Sequence, residues 1–365
     1  MGQTFLSAVS EYGRQECLPH DITTTRGSVV IENGRSPVPD SDGADSRHEI
    51  ADLIRRLRHI ADQLPVERTP QDDLKILSQT LRELRKAFGV FAPYRSHRKV
   101  TIFGSARTPR DAPEYQQAER LGKSMVEHGW YVVTGASTGI MEAGHRGAGR
   151  ERSMGLNIML PFEQESNEVI RGDSKLVTMK YFFTRKLMFV KECDAVVCLP
   201  GGFGTLDEAF EVLTLLQTGK RELMPLVFLD APGGSYWQDW AAYVRKHLLG
   251  AKMIGSEDFS LFRVTDSVED TVDEVLQFYR VFDRMEYVDN RLALKLREQI
   301  DDTRLAIYQR DFADILTDGT FRQEIDSTSN GSPASAKHAK LIFHFNRRSL
   351  GRLRQLIDAI NGPRV

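Results

Sequence analysis

AVVCLPGGFGTLDE, residues 195–208, decides the fold. Residues 195–199 are short, apolar and partly β-branched, and they read as a buried strand. Three glycines follow at Gly201, Gly202 and Gly204, and a helical apolar pattern opens near Thr205 and runs to about residue 218. Strand, glycine turn and helix in that order form the repeating unit of a parallel sheet covered on both faces. Glycines let the backbone turn tightly and approach a ligand, and the free amides of a helix start attract anions. Thr205 and Glu208 have two readings. They form a capping box, with Glu208 bonded to the Thr205 amide. Alternatively, Thr205 faces a phosphate and the Glu208 carboxylate returns to the same turn to act on the ligand. The strand–glycine–helix context favours the second reading. The stretch matches neither a P-loop nor a GxGxxG dinucleotide fingerprint.

The same alternation extends on both sides. Strands are expected at 100–103, 131–134, 155–160 and 225–229, and helices at 114–128, from 140, at 184–191 and at 236–249. This predicts an α/β fold, a Rossmann-like doubly wound parallel sheet whose ligand lies at the carboxyl edge. Residues 1–45 are rich in Gly, Ser, Asp, Thr and Pro and read as a disordered leader. Within 46–95, two amphipathic helices are expected, at 47–63 (Ile50, Leu53, Ile54, Leu57, Ile60) and at 72–88 (Leu74, Ile76, Leu77, Leu81, Leu84). They are expected to pack on the main domain, 96–282, or on a partner subunit. Residues 283–365 read as a small α+β appendage. It has strands at 291–296 and 341–345, helical patterns at 300–316 and 349–360, and a Ser/Gly/Ala-rich loop at 327–337.

Composition narrows the function classes. The chain has 365 residues and a net charge of −2. No global field draws it to a nucleic-acid polymer or an acidic membrane. No apolar run spans a bilayer and no signal-peptide core is present, so a cytoplasmic location is expected. The three cysteines, Cys17, Cys193 and Cys198, lack metal-ligand spacing, and Cys193 and Cys198 read as core. No metal or cofactor is expected.

Three further stretches belong with the glycine turn. YFFTRK, 181–186, brings Arg185 and Lys186 one strand upstream of it. A guanidinium fork suits phosphate, a ring oxygen or a leaving base, and Lys186 is expected either to neutralise a phosphate or simply to be solvated. FGSAR, 103–107, and TGASTGIMEA, 134–143, follow the first two strands; Gly104, Ser105, Gly135 and Gly139 there can offer amides and hydroxyls to a nucleotide. Singly, each is equally well a plain turn; three on one edge favour a nucleotide. His145 reads as a packed or solvent-facing side chain, and Trp237, Trp240 and Tyr243 as core.

In order, GSAR, TGASTGIMEAG, GLNIMLPFEQ, YFFTRK and PGGFGTLDE resemble the Lonely Guy family of cytokinin riboside monophosphate phosphoribohydrolases, whose members were often labelled lysine decarboxylases. The resemblance covers about residues 98–280, and the tail at 341–361 looks like that of longer bacterial relatives. It implies a catalytic Arg185 and Glu208. It implies a phosphate loop of Gly201, Gly202, Gly204 and Thr205, and nucleotide-contacting turns at Gly104-Ser105 and Gly135–Gly139. It implies hydrolysis of AMP or an N6-modified AMP to free base and ribose 5-phosphate, by a homodimer or larger homo-oligomer. Ala136 departs from the pattern, since relatives often carry consecutive glycines there. Three alternatives stand beside this reading. One is a nucleotide or molybdenum-cofactor carrier of the same fold, which needs neither Arg185 nor Glu208. Another is a pyridoxal phosphate decarboxylase, for which no convincing Schiff-base lysine and pyridinium partner are found. The third is a sensor whose terminal extensions read a nucleotide.

Overall fold

The computed structural model describes residues 45–160, 165–325 and 338–363. The expected leader, but for residue 45, and the expected 327–337 loop lie outside them. Two helices come first, α1 (Asp45–Gln63) and α2 (Gln71–Phe91). The alternating part follows: β1 (Lys99–Phe103), α3 (Pro113–Glu127), β2 (Tyr131–Thr134), α4 (Ile140–Arg152), β3 (Ser153–Ile158), β4 (Leu176–Met179) and α5 (Phe182–Glu192). It continues through β5 (Ala195–Cys198), α6 (Phe203–Gln217), β6 (Leu226–Leu229), α7 (Tyr236–Tyr243), β7 (Arg263–Thr265) and α8 (Val268–Phe278). The last part holds β8 (Phe282–Val288), β9 (Arg291–Leu296), α9 (Asp302–Asp311), β10 (Leu316–Ile325), β11 (Ala339–Phe345) and α10 (Leu350–Asn361).

Seven strands form one sheet in the order β4-β3-β2-β1-β5-β6-β7, and every pairing is parallel. All residues of β1, β2, β3, β5 and β6 are buried, as strands covered on both faces must be. The chain winds outward from β1 to the edge strand β4, then returns through α5 to lay β5 against the other side of β1. The crevice beyond the carboxyl ends of β1 and β5 is therefore the topological switch point, where such sheets bind ligands. Phe103 and Cys198 stand side by side there, each leading into a glycine turn. The edge strands β4 and β7 escape the sequence reading because they are short and only partly covered, so neither carries a continuous apolar run.

A second sheet, antiparallel in the order β10-β11-β9-β8, occupies the C-terminal part. It begins at Phe282, earlier than the expected strand at 291. Both β8 and β10 are rich in charged or exposed residues, which hid them from a hydropathy reading. The Asn361 side chain ties α10 to the joint between the sheets. Its oxygen accepts from the Val281 and Phe282 amides (2.9 and 3.0 Å), and its amide donates to Phe278 O (2.7 Å). The apolar core is continuous from Ala87 and Phe91 to Leu353, Ile357 and Ile360. The expected helix 236–249 is α-helical only to Tyr243 and widens into a π-helical segment over Val244–Leu249.

The N-terminal helices meet the expectation in part, since α2 packs on the main domain against α5 and β4. Helix α2 buries Glu83, Ala87 and Phe91, while Leu74, Ile76, Leu77 and Leu81 are exposed. In α1, Ile50, Leu53, Ile54, Leu57 and Ile60 are all exposed. Of the two apolar stripes read from the sequence, Leu84 packs against the core, and the other named residues do not. Among the described residues, no helix is long and apolar enough to cross a membrane.

Candidate functional site

The glycine turn after β5 is built against the turn after β1. Ser105 N–H donates to Pro200 O (3.2 Å), and a Cβ on Gly201 would lie 3.0 Å from Ser105 N and overlap the Thr205 side chain. Tyr236, on α7, donates its hydroxyl to Gly201 O (2.6 Å). Gly202 caps α6, which begins at Phe203 rather than near Thr205, and Thr205 N–H donates to Gly202 O (3.0 Å). The Thr205 amide is thus engaged with the backbone, and Glu208 is engaged elsewhere, so the capping-box reading fails. Gly202 and Gly204 both face open space, and Phe203 between them is 92% exposed.

The turn after β2 closes on the other two. Ile140 N–H donates to Ser105 O (3.0 Å), and Thr138 donates its hydroxyl to Ala106 O (2.8 Å). Gly139 has φ +64°, and a side chain there would overlap the backbone of Ser105 and Ala106. Ala136 also has positive φ, +60°, a region that favours glycine. It is held there from both ends: Ala136 N–H donates to Thr134 Oγ1 (3.0 Å), and Ala136 O accepts from Asn167 N–H (2.8 Å). Behind this turn lies His145, fully buried. Its Nε2 faces Met154 O (3.0 Å), which can only accept, so Nε2 carries the proton, and Nδ1 accepts from the Asn167 side-chain amide (3.2 Å). Burial lowers the His145 pKa to about 4, so it stays neutral and serves as structure, in line with its reading as a packed residue. Ser137 Oγ is buried with no hydrogen-bond partner among the described residues.

Arg185 lies in the first turn of α5. Its Nε donates to Leu156 O (2.8 Å), and its guanidinium carbon stands 5.1 Å from the centre of the Phe189 ring. The guanidinium passes so close to Gly135 that any Cβ there would overlap it. Burial lowers its pKa, and the neighbouring Glu208 opposes that shift. Glu208, 8% exposed, is pushed above the usual carboxylate range by burial, against the pull of Lys186 and Arg185. Lys186 Nζ stands between Glu211 (2.7 Å), Asp207 (3.0 Å) and Glu208 (3.2 Å). The carboxylates raise the Lys186 pKa against the opposing effect of burial, so its charge is already matched within the protein. The sequence left that charge either to a phosphate or to solvent.

Two contributors escaped the sequence. Tyr236 carried no motif. Glu83, within the expected helix 72–88 but outside its named stripe, is 4% exposed and grips the start of α5. The Lys180 amide donates to its Oε1 (2.7 Å) and the Thr184 hydroxyl to its Oε2 (2.6 Å). Burial alone would raise the Glu83 pKa, but these bonds and those from Gln79 and the Tyr181 amide hold it below the ordinary value. The one sequence signal was its position: Glu83, Ala87 and Phe91 recur at four-residue steps, marking a face distinct from the leucine stripe. Among the described residues, no group of three His, Cys, Asp or Glu side chains is arranged to hold a metal.

Residues 134–275 match the family described as possible lysine decarboxylase. A probable cytokinin riboside 5'-monophosphate phosphoribohydrolase of Oryza sativa subsp. japonica, LOGL5, is 31% identical over 154 residues, covering 41% of this chain and 60% of that protein. The cytokinin riboside 5'-monophosphate phosphoribohydrolase LOG7 of Arabidopsis thaliana is 31% identical over 155 residues, covering 41% of this chain and 68% of its own length. Two solved structures are also similar. The molybdenum cofactor carrier protein of Chlamydomonas reinhardtii is 18% identical with a TM-score of 0.36, covering 50% of this chain and 97% of that one. The protein TM1055 is 22% identical with a TM-score of 0.36, covering 49% of this chain and 99% of its own.

Proposed function

The chain belongs to the cytokinin riboside 5'-monophosphate phosphoribohydrolase (Lonely Guy) family, and from that premise we propose that it hydrolyses the N-glycosidic bond of a nucleoside 5'-monophosphate, with AMP or an N6-modified AMP as substrate. The observation that carries the reading is the convergence of Arg185 and Glu208 on the crevice that three glycine turns line. In this mechanism the phosphate seats on the free amides near Gly202 and Gly204, where the start of α6 adds its positive dipole end. The ribose lies over the turn that carries Ser137, whose buried hydroxyl can bond a sugar hydroxyl. As the base departs, positive charge grows at the anomeric carbon, and Glu208 stabilises it and deprotonates the attacking water. Arg185, already directed by Leu156 O, supports the sugar phosphate and the leaving base. Lys186 holds Glu208 in its ionised, oriented form, which is a positioning role. The bond from the anomeric carbon to the base nitrogen breaks, the water oxygen bonds to that carbon, and the proton Glu208 took from the water passes to the departing base, leaving ribose 5-phosphate and an ionised Glu208.

We also propose that the working species is a homodimer or a larger homo-oligomer. The unpartnered stripes of α1 and α2 support this, because a lone 19-residue helix is marginally stable in water until its apolar face is covered.

The test is base release from AMP by purified protein, followed by chromatography. Adenine and ribose 5-phosphate should appear with the natural chain, and kcat should fall by on the order of 10³-fold or more in Glu208→Ala and Arg185→Ala. Tight binding of nucleoside monophosphates without release of any base would sink the hydrolase reading and leave a nucleotide-binding protein.

A further inference from the structure

The outer face of α2 and the edge of the parallel sheet line a cleft of about 730 Å³, and no residue of the turn at Gly202 and Gly204 lines it. Its walls include Arg82, Arg85, Lys86, Val90, Tyr94 and Lys175, and no acidic residue lines it. A smaller cleft of about 430 Å³ shares Arg82 and continues along the helix to Lys75 and Lys180. Lys175 and Lys75 are neutralised, by Asp173 and Asp72 (2.8 Å each). Arg82, Arg85 and Lys86 form no ion pair among the described residues. At i, i+3 and i+4 they stand together on one helix face, where like charges repel. Three adjacent unpaired cations in a concave wall are an anion site by elementary electrostatics, and two of them carry the planar fork that matches phosphate oxygens.

The other end of the cleft has a different character. Val90, Pro93 and Tyr94 line it, and the Tyr94 ring is fixed edge-on against Tyr131 at 5.2 Å between centroids. From residue 82 to residue 90 the helix rises by about 12 Å. A ligand filling the cleft is therefore elongated, with several negative charges at one end and an apolar, flat group at the other. Glu83 connects this place to the candidate active site. It lies beside Arg82 on α2 but points inward, bonding the Lys180 amide and the Thr184 hydroxyl, one residue before Arg185. Lys180 itself lines the adjoining cleft.

We propose that this cleft binds a soluble organic polyphosphate, with its phosphates on Arg82, Arg85 and Lys86 and its apolar part against Val90 and Tyr94, and that occupancy acts through Glu83 on the turn carrying Arg185. The binding half stands independently of the hydrolase reading; the consequence for Arg185 rests on it. Isothermal titration of the full chain with ATP and with inorganic tripolyphosphate tests the first half. Both probes bind, ATP more tightly, and Arg85→Ala/Lys86→Ala weakens both by about tenfold or more with unchanged thermal melting. Equal affinity in wild type and variant, or no binding of either probe, overturns the site; equal affinity of the two probes overturns the apolar seat. Hydrogen exchange locates the ligand without using activity. ATP should protect residues 82–94 and alter exchange at 180–185, and Glu83→Gln should abolish the second effect while retaining the first. Protection of 200–208 in place of 82–94 would return the ligand to the candidate active site and defeat the proposal. Unaltered exchange at 180–185 would defeat the coupling.

Discussion

Arg185 reaches its position because residue 135 has no side chain. The Gly135→Ala methyl overlaps the guanidinium, the movable end of a long side chain, so the arginine is displaced while the backbone stays. Base release should fall by about 10²-fold, the cost of a misplacement of about an ångström, with little change in melting temperature. Activity within a factor of about two of wild type would remove Arg185 from the mechanism. Lys186 makes a second prediction. Burial holds the Glu208 pKa above its ordinary value, and Lys186 is the main group pulling it back down. A base must be ionised, so the acid limb of the kcat profile should lie above the ordinary glutamate value of 4.5. Lys186→Met removes that pull, and the limb should move to higher pH with less activity at neutrality. A limb that stays in place would show that Glu208 is not the titrating base. Ala136, in the turn after β2, works against its backbone, and the bonds with Asn167 and Thr134 keep it in the left-handed region.

At the scale of elements, the site depends on two joints. Glu83 anchors α2 to the start of α5, so the accessory helix sets the position of the arginine-bearing turn. The second joint is between α3 and α4, which cross at close range. A Cβ on Gly122 would overlap Gly144 O, and one on Gly147 would overlap Glu119 O. These are backbone atoms and cannot move aside as a long side chain can. Gly147→Ala should therefore destabilise the fold by roughly 1–3 kcal/mol, read by urea denaturation, because the helices must separate. Unchanged stability would mean that the crossing is looser than its geometry indicates. The helix α4 also carries His145, so the same separation should loosen the turn at Ala136.

For the whole molecule, the apolar faces of α1 and α2 predict self-association. Leu53→Glu/Leu57→Glu should shift the chain toward monomer in sedimentation experiments while the core's circular dichroism persists, because both residues are exposed within the single chain. An unchanged sedimentation coefficient would place the subunit contact elsewhere. The parallel sheet was legible in the sequence because its central strands are buried on both faces and must be apolar, and because β1, β2, β5 and β6 each lead into a glycine-bearing turn. Strands such as β8 and β10 were not, since their charged residues are accommodated by exposure that only the assembled sheet reveals. The pattern 195–208 was enough to require a strand–turn–helix, and the motif order was enough to nominate Arg185 and Glu208 as candidates. Sequence alone left undecided which partner each side chain takes. Thr205 and Glu208 as a cap, Lys186 free for a phosphate or solvent, and the whole leucine stripe of α2 turned inward were all compatible with local spacing. Tertiary packing chose otherwise in each case, because a buried charge or amide bonds the nearest complementary group in space, and spacing along the chain does not specify that neighbour.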